Sequence, residues 1–230
     1  MEATLQKVLI IGGTNKTATS VARELENNGY SIEGMTYRDT KKVTEYFKNC
    51  IWSHLNLSDN YIVNDFIRSQ KDKEYDKIIF FISNSTQING TKLNDQRDAL
   101  NQFYGVFCVN YILLINSLLS CLSDNGSIIF ISSSAADNGS KDPIYSSGKA
   151  LIQSYILSLN NLLKKEQSAF SISPGTIAGS LFYESLPEDH PDKLNKKAIT
   201  YPKEIANLII KSKDYSGKNV RLSWGEDWNK

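Results

Sequence analysis

The chain has 230 residues, 40% of them hydrophobic and 22% charged, with a formal net charge of +1. That length suits one domain spanning 1–230 with a full-sized core. The balanced charge, with no basic or acidic block, argues against nucleic-acid or membrane-surface binding by bulk electrostatics.

Taken in chain order, apolar runs and helical periodicity alternate to the end. Lys7–Ile11 reads as a buried strand. Thr17–Asn28 reads as a helix, stopped by Gly29. Ser31–Tyr37 is a second strand and Lys41–Lys48 a short polar helix. Ile51–Leu55 is a third strand, followed by a helix over Asn60–Ser69. Lys77–Ile82 is a strongly apolar fourth strand. Asp95–Leu122 carries helical periodicity with a break near Gly105. Ser127–Ile131 is a fifth strand, Tyr145–Lys165 a long helix and Ala169–Ser173 a sixth strand. Pro202–Ser212 is a helix and Asn219–Ser223 a last strand.

Strands that are continuous apolar runs between helices predict an α/β fold: a single, doubly wound parallel sheet of Rossmann type with helices on both faces. Ligands of such sheets bind beyond the carboxyl ends of the strands. Gly12-Gly13, Ser83-Asn84, Ser132-Ser133 and Pro174-Gly175 each follow a strand, so all should line one edge. The N-terminus has no signal-peptide pattern, because the apolar run Val8–Ile11 leads straight into Gly12. No apolar run approaches membrane-spanning length, since Tyr111–Leu122 is broken by Asn116, Ser117 and Ser120. Cys50, Cys108 and Cys121 are odd in number and widely spaced, which predicts free thiols in a reducing cytoplasm. His54 and His190 have no ligand-like spacing, and no metal site is expected.

Tyr145 and Lys149 are the most informative pair. Four apart, they share one helix face. An ammonium near a phenol favours the phenolate, so Lys149 is expected to lower the pKa of Tyr145. That gives a proton donor and acceptor suited to a carbonyl or an alcohol. Upstream, the strand, Gly-led turn and helix start over Val8–Val21 form the kind of site where a pyrophosphate meets a helix N-terminus.

With these features together the chain resembles the short-chain dehydrogenase/reductase family over nearly its whole length. The family's loop runs Thr-Gly-x-x-x-Gly-x-Gly. Set against Gly12-Gly13-Thr14-Asn15-Lys16-Thr17-Ala18-Thr19, Gly13 matches and Thr17 and Thr19 replace the later glycines. The resemblance implies cofactor contacts from Gly12 to Ala18. It also implies them at Asn56 and Leu57, which resemble the family's adenine-side segment, and at Ser83, Asn84 and Ser85. Pro174, Gly175 and Ile177 are implied on the nicotinamide side, where Ser180 is a substitute for a missing threonine at Gly179. The second strand ends at Tyr37 and Arg38 rather than in an acid. Arg38, with Lys16, suits a 2′-phosphate. NADPH is the expected cofactor and NADH the alternative.

The family's tetrad falls on Asn110, Ser133, Tyr145 and Lys149. Val106–Asn110 resembles the family's Val-Phe-x-Val-Asn, with Asn101 as the fallback. Ile131–Ala136 resembles Ile-Ser-Ser-x-Ala-Gly, with Ser132 and Ser134 as alternatives to Ser133. By resemblance, Tyr145 moves the proton and Ser133 bonds the reacting oxygen. Lys149 tunes Tyr145 and contacts the nicotinamide ribose, and Asn110 holds a water that serves Lys149. The implied activity is ketone reduction or alcohol oxidation on a small polar substrate, in a homodimer or homotetramer. Two rival readings stay open: a non-catalytic nucleotide-binding or interaction protein, and a sugar-nucleotide epimerase or dehydratase.

Overall fold

The computed structural model describes residues 5–12, 16–36, 50–81 and 93–222. The expected helix at 41–48 lies outside them. The strands are β1 (Gln6–Ile11), β2 (Tyr30–Thr36), β3 (Cys50–His54), β4 (Tyr75–Phe81), β5 (Leu122–Ile131) and β6 (Ser168–Pro174). Two short strands, β7 (Thr176–Ile177) and β8 (Ile199–Thr200), and then β9 (Asn219–Leu222) follow. Among the described residues, seven strands form one parallel sheet in the order β3-β2-β1-β4-β5-β6-β9. The winding reverses between β1 and β4, which opens a crevice at their carboxyl ends.

Helices cover both faces because the strands are apolar on both. Ile78 and Phe80 of β4 face one cluster, Ile79 and Phe81 the other. The second face is packed by α1 (Lys16–Asn27) through Val21, Ala22 and Leu25. The first receives α2 (Asn60–Ser69) through Val63 and Phe66. It also receives a long helical run: α3 (Leu93–Tyr104), a π-helical turn over Gly105–Asn110, and α4 (Tyr111–Leu118). The break expected near Gly105 is this wider turn, so the helix continues instead of stopping.

That continuity corrects one expectation. Among the described residues, Arg97–Cys121 is long and apolar enough to cross a membrane by length and composition, at a hydropathy of 1.6. Its Phe103, Phe107, Leu114, Ile115 and Leu118 are buried in the first core cluster.

Beyond β5 come α5 (Ser134–Asn138) and α6 (Pro143–Ser158). The latter begins two residues earlier than expected and gives way to a 3-10 turn at Leu159. Asp142 accepts the amide of Tyr145 at 2.9 Å and Pro143 opens the first turn, an arrangement preorganised for helix initiation. After β7 lie α7 (Leu181–Ser185) and α8 (Pro191–Leu194), and then α9 (Pro202–Ile210), which packs beside α1.

Candidate active site

The strand register sets the site. Ile11 pairs with Phe80, Phe81 with Ile131, and Ile131 with Ile172. Gly12, Ser132 and Gly175 therefore stand near one another at the carboxyl edge, as the sequence implies.

Ser133 leaves β5 and caps α5, its Oγ accepting the amide of Ala135 at 3.2 Å. It is also the serine that pulls the Tyr145 pKa down, against the effect of burial. Ser134 is the first residue of α5. Ser132 is buried, and among the described residues its Oγ has no hydrogen-bond partner. Of the three serines, the resemblance picks Ser133.

Lys149 lies one turn along α6, 4% exposed. Its Nζ donates to the carbonyl of Ile131 at 2.8 Å and lies 5.7 Å from the centre of the Tyr145 ring. Burial pulls its pKa down to about 7. Burial also raises the Tyr145 pKa; the Ser133 bond opposes this and the Asp142 charge adds to it. This departs from the expected lowering by Lys149. Desolvation penalises both charged forms, and at that distance the ammonium does not overcome it. Gly148 lets α6 come this close, since a Cβ there would stand 2.8 Å from the Phe103 ring.

Asn110 closes the π-turn and is buried, but its amide donates to the carbonyl of Leu57 at 2.5 Å. It thus ties the long helix to the loop after β3. Asn101, the fallback, is exposed on α3. Asn56 turns inward on its own loop, accepting from the amide and hydroxyl of Ser58.

Gly12 meets the demands of a leading loop glycine. Gly12 has φ +88°, and a Cβ there would stand 1.9 Å from the carbonyl oxygen of Phe81. Only glycine fits such a place. Four and six residues on come Lys16 and Ala18, and Ala18 is fully buried where α1 packs on the sheet. Alanine is small enough for that close contact. Thr17 is buried in α1 and the hydroxyl of Thr19 donates back to the Lys16 carbonyl at 3.0 Å. Lys16 itself stands at the place of the middle glycine and is ion-paired with Glu184 of α7.

Other expected contacts are spent within the chain. The amide of Gly175 donates to Leu222 and to Thr200 Oγ1, and Ile177 pairs with Thr200. Ser180 caps α7, accepting from Tyr183, so its hydroxyl has a structural task. Pro174 ends β6, buried. Gly13, Thr14, Asn15, Arg38, Ser83, Asn84 and Ser85 lie outside the described residues.

Sequence reasoning missed a polar network around the buried Asp137 carboxylate. Asp137 of α5 accepts from Gln153 and Asn219 at 3.0 Å and meets Arg221 at 3.2 Å. No local motif announces it, because its members come from three elements, α5, α6 and β9.

The donor set suits a dinucleotide. A helix N-terminus with Lys16 offers an anion site at one end of the crevice. At the other, buried Ser132 Oγ, Ser133, Tyr145 and Lys149 are gathered.

A family model described as short chain dehydrogenase matches residues 6–189. Among solved structures, a short chain dehydrogenase family protein from Francisella tularensis is 19% identical, with a TM-score of 0.76 over 95% of this chain and 97% of that one. A putative betaketoacyl-ACP reductase is 17% identical, with a TM-score of 0.78 over 96% and 97%. BdcA, solved in complex with NADPH, is 15% identical, with a TM-score of 0.76 over 96% and 94%. At these identities the likenesses speak for the fold. No curated protein matches the chain.

Proposed function

The chain belongs to the short-chain dehydrogenase/reductase family of NAD(P)-binding oxidoreductases, and from that premise we propose that it is an NADP(H)-dependent enzyme reducing a ketone, or oxidising a secondary alcohol, on a small polar substrate. The observation that carries this reading is the buried Lys149 ammonium 5.7 Å from the centre of the Tyr145 ring, with Ser133 pulling the Tyr145 pKa down against burial.

When bound, the cofactor supplies or takes the hydride. Lys16 and the first turn of α1 would hold its phosphates, with Arg38 on the 2′-phosphate, and Lys149 its nicotinamide ribose. In reduction, Tyr145 gives its phenolic proton to the carbonyl oxygen. Ser133 fixes the direction of that phenol and bonds the same oxygen as charge gathers on it. Lys149 stabilises the phenolate left behind, and in oxidation the same groups run in reverse. The raised Tyr145 pKa supports the reductive direction, because it keeps the phenol protonated at neutral pH. The NADPH complex of BdcA gives the cofactor choice general support.

Tyr145→Phe keeps the ring and its packing and removes only the hydroxyl. It is expected to leave the fold and nucleotide affinity intact while turnover drops by about 10²–10⁴-fold. An enzyme that retained most of its turnover would exclude this mechanism. Ser133→Ala belongs in the same range, with Ser132→Ala milder.

We also place the chain in the cytoplasm, a compartment that suits its free thiols, and as a homodimer or homotetramer. The bonds Tyr104–Ser147 and Tyr155–Asn116, each 2.6 Å, tie the long helix to α6 along an open face. Exposed Val109, Leu113 and Leu151 lie on these same helices. Leu113→Asp should shift sedimentation toward the monomer; an unmodified chain that already sediments as a monomer contradicts the assembly.

A further inference from the structure

Lys16 and Glu184 are separated by 168 residues, yet Lys16 Nζ donates to both carboxylate oxygens of Glu184, at 2.6 and 2.5 Å. Lys16 opens α1, the helix whose N-terminus faces the crevice. Glu184 sits on α7, in the segment between β7 and β8. The contact therefore spans from the phosphate side of the crevice to the segment that borders its other end.

Its chemistry is that of the expected ligand. A helix N-terminus and an ammonium attract an anion, and the first turn of α1 carries no acid of its own. The anion that Lys16 holds is instead a carboxylate brought by α7. A phosphate oxygen would make the same charge-assisted bonds to the same nitrogen.

We propose that Glu184 is an internal stand-in for the cofactor phosphate, so that nucleotide binding must displace it from Lys16 and thereby releases α7. Glu184 thus sets how strongly Lys16 discriminates for phosphate, and couples cofactor entry to the movement of α7. This rests on the reading of the crevice as a dinucleotide site. The pair is about half exposed on each side, at 54% and 47%, so the latch is weak and reversible. That suits a contact broken in each binding event.

The test is a double-mutant cycle on nucleotide binding, read by calorimetry with NADPH and NADH. Glu184→Gln keeps the shape of the side chain and removes its charge. It is expected to tighten both nucleotides by about twofold to fivefold, the range that an exposed ion pair allows. Lys16→Met should weaken both, and adding Glu184→Gln to Lys16→Met should then bring no gain. Amide hydrogen exchange over 181–185 gives a second readout: faster in Glu184→Gln, and faster in the unmodified chain once NADPH is added. An unchanged or weakened affinity in Glu184→Gln overturns the proposal, as does a gain of equal size in the Lys16→Met background, which would reflect a long-range field. Either result leaves the dinucleotide reading standing. If neither nucleotide binds to the unmodified chain or to Glu184→Gln, both fall.

Discussion

Lys149 and Tyr145 are both moved from their ordinary ionisation, and for the same reason: burial penalises the charged form of each. The sign differs between them. Tyr145 stays protonated to higher pH, whereas Lys149, pulled down to about 7, loses its charge near neutrality. An uncharged Lys149 cannot stabilise a phenolate, so reduction should weaken as pH rises through that ionisation. The profile of kcat/KM for NADPH reports groups of the free enzyme, and a falling step at about pH 7 is expected, absent in Lys149→Met. A step that survives this substitution would assign it elsewhere. The identities of Ser133, Tyr145 and Lys149 were legible in the sequence because they lie in short, ordered motifs. Their ionisation was not, because the motif says nothing of Phe130, whose ring centre is 5.1 Å from Lys149 Nζ, or of Phe103 against Gly148.

Among the elements, the β1–α1 connection is the most demanding. Gly12 combines a left-handed backbone with a would-be Cβ 1.9 Å from a backbone carbonyl, which cannot move like a side-chain tip. Gly12→Ala should therefore cost on the order of 2–4 kcal/mol in denaturant unfolding and abolish nucleotide binding by displacing the start of α1. A stable variant with normal binding would show that the turn tolerates a side chain. Gly12 and Gly13 are adjacent, and a pattern alone cannot choose between them as the leading glycine. Packing bears on Gly12, through the Phe81 carbonyl. The start of α6 was misjudged for a simpler reason. Asp142-Pro143 is itself a helix-start signal and lies ahead of the Tyr145 motif. The break at Gly105 was legible, but its form was not: a π-turn depends on what the helix packs against, here the core through Phe107 and Cys108.

For the whole molecule, alternating apolar strands and helices carried the doubly wound sheet, and the register then brought Gly12, Ser132 and Gly175 to one edge. Contacts between distant segments were not legible, because nothing local marks Lys16 as a partner for Glu184 or Asp137 for Arg221. On α7, Leu181 and Phe182 are exposed beside Glu184. All of these features meet in one claim, that the crevice between β1 and β4 holds a nicotinamide dinucleotide. Calorimetric titration of the unmodified chain with NADPH and NADH tests it most directly. One saturable site per chain is expected, with NADPH the tighter by roughly tenfold from a charge-assisted contact to its 2′-phosphate. Absence of binding by either nucleotide would contradict the account.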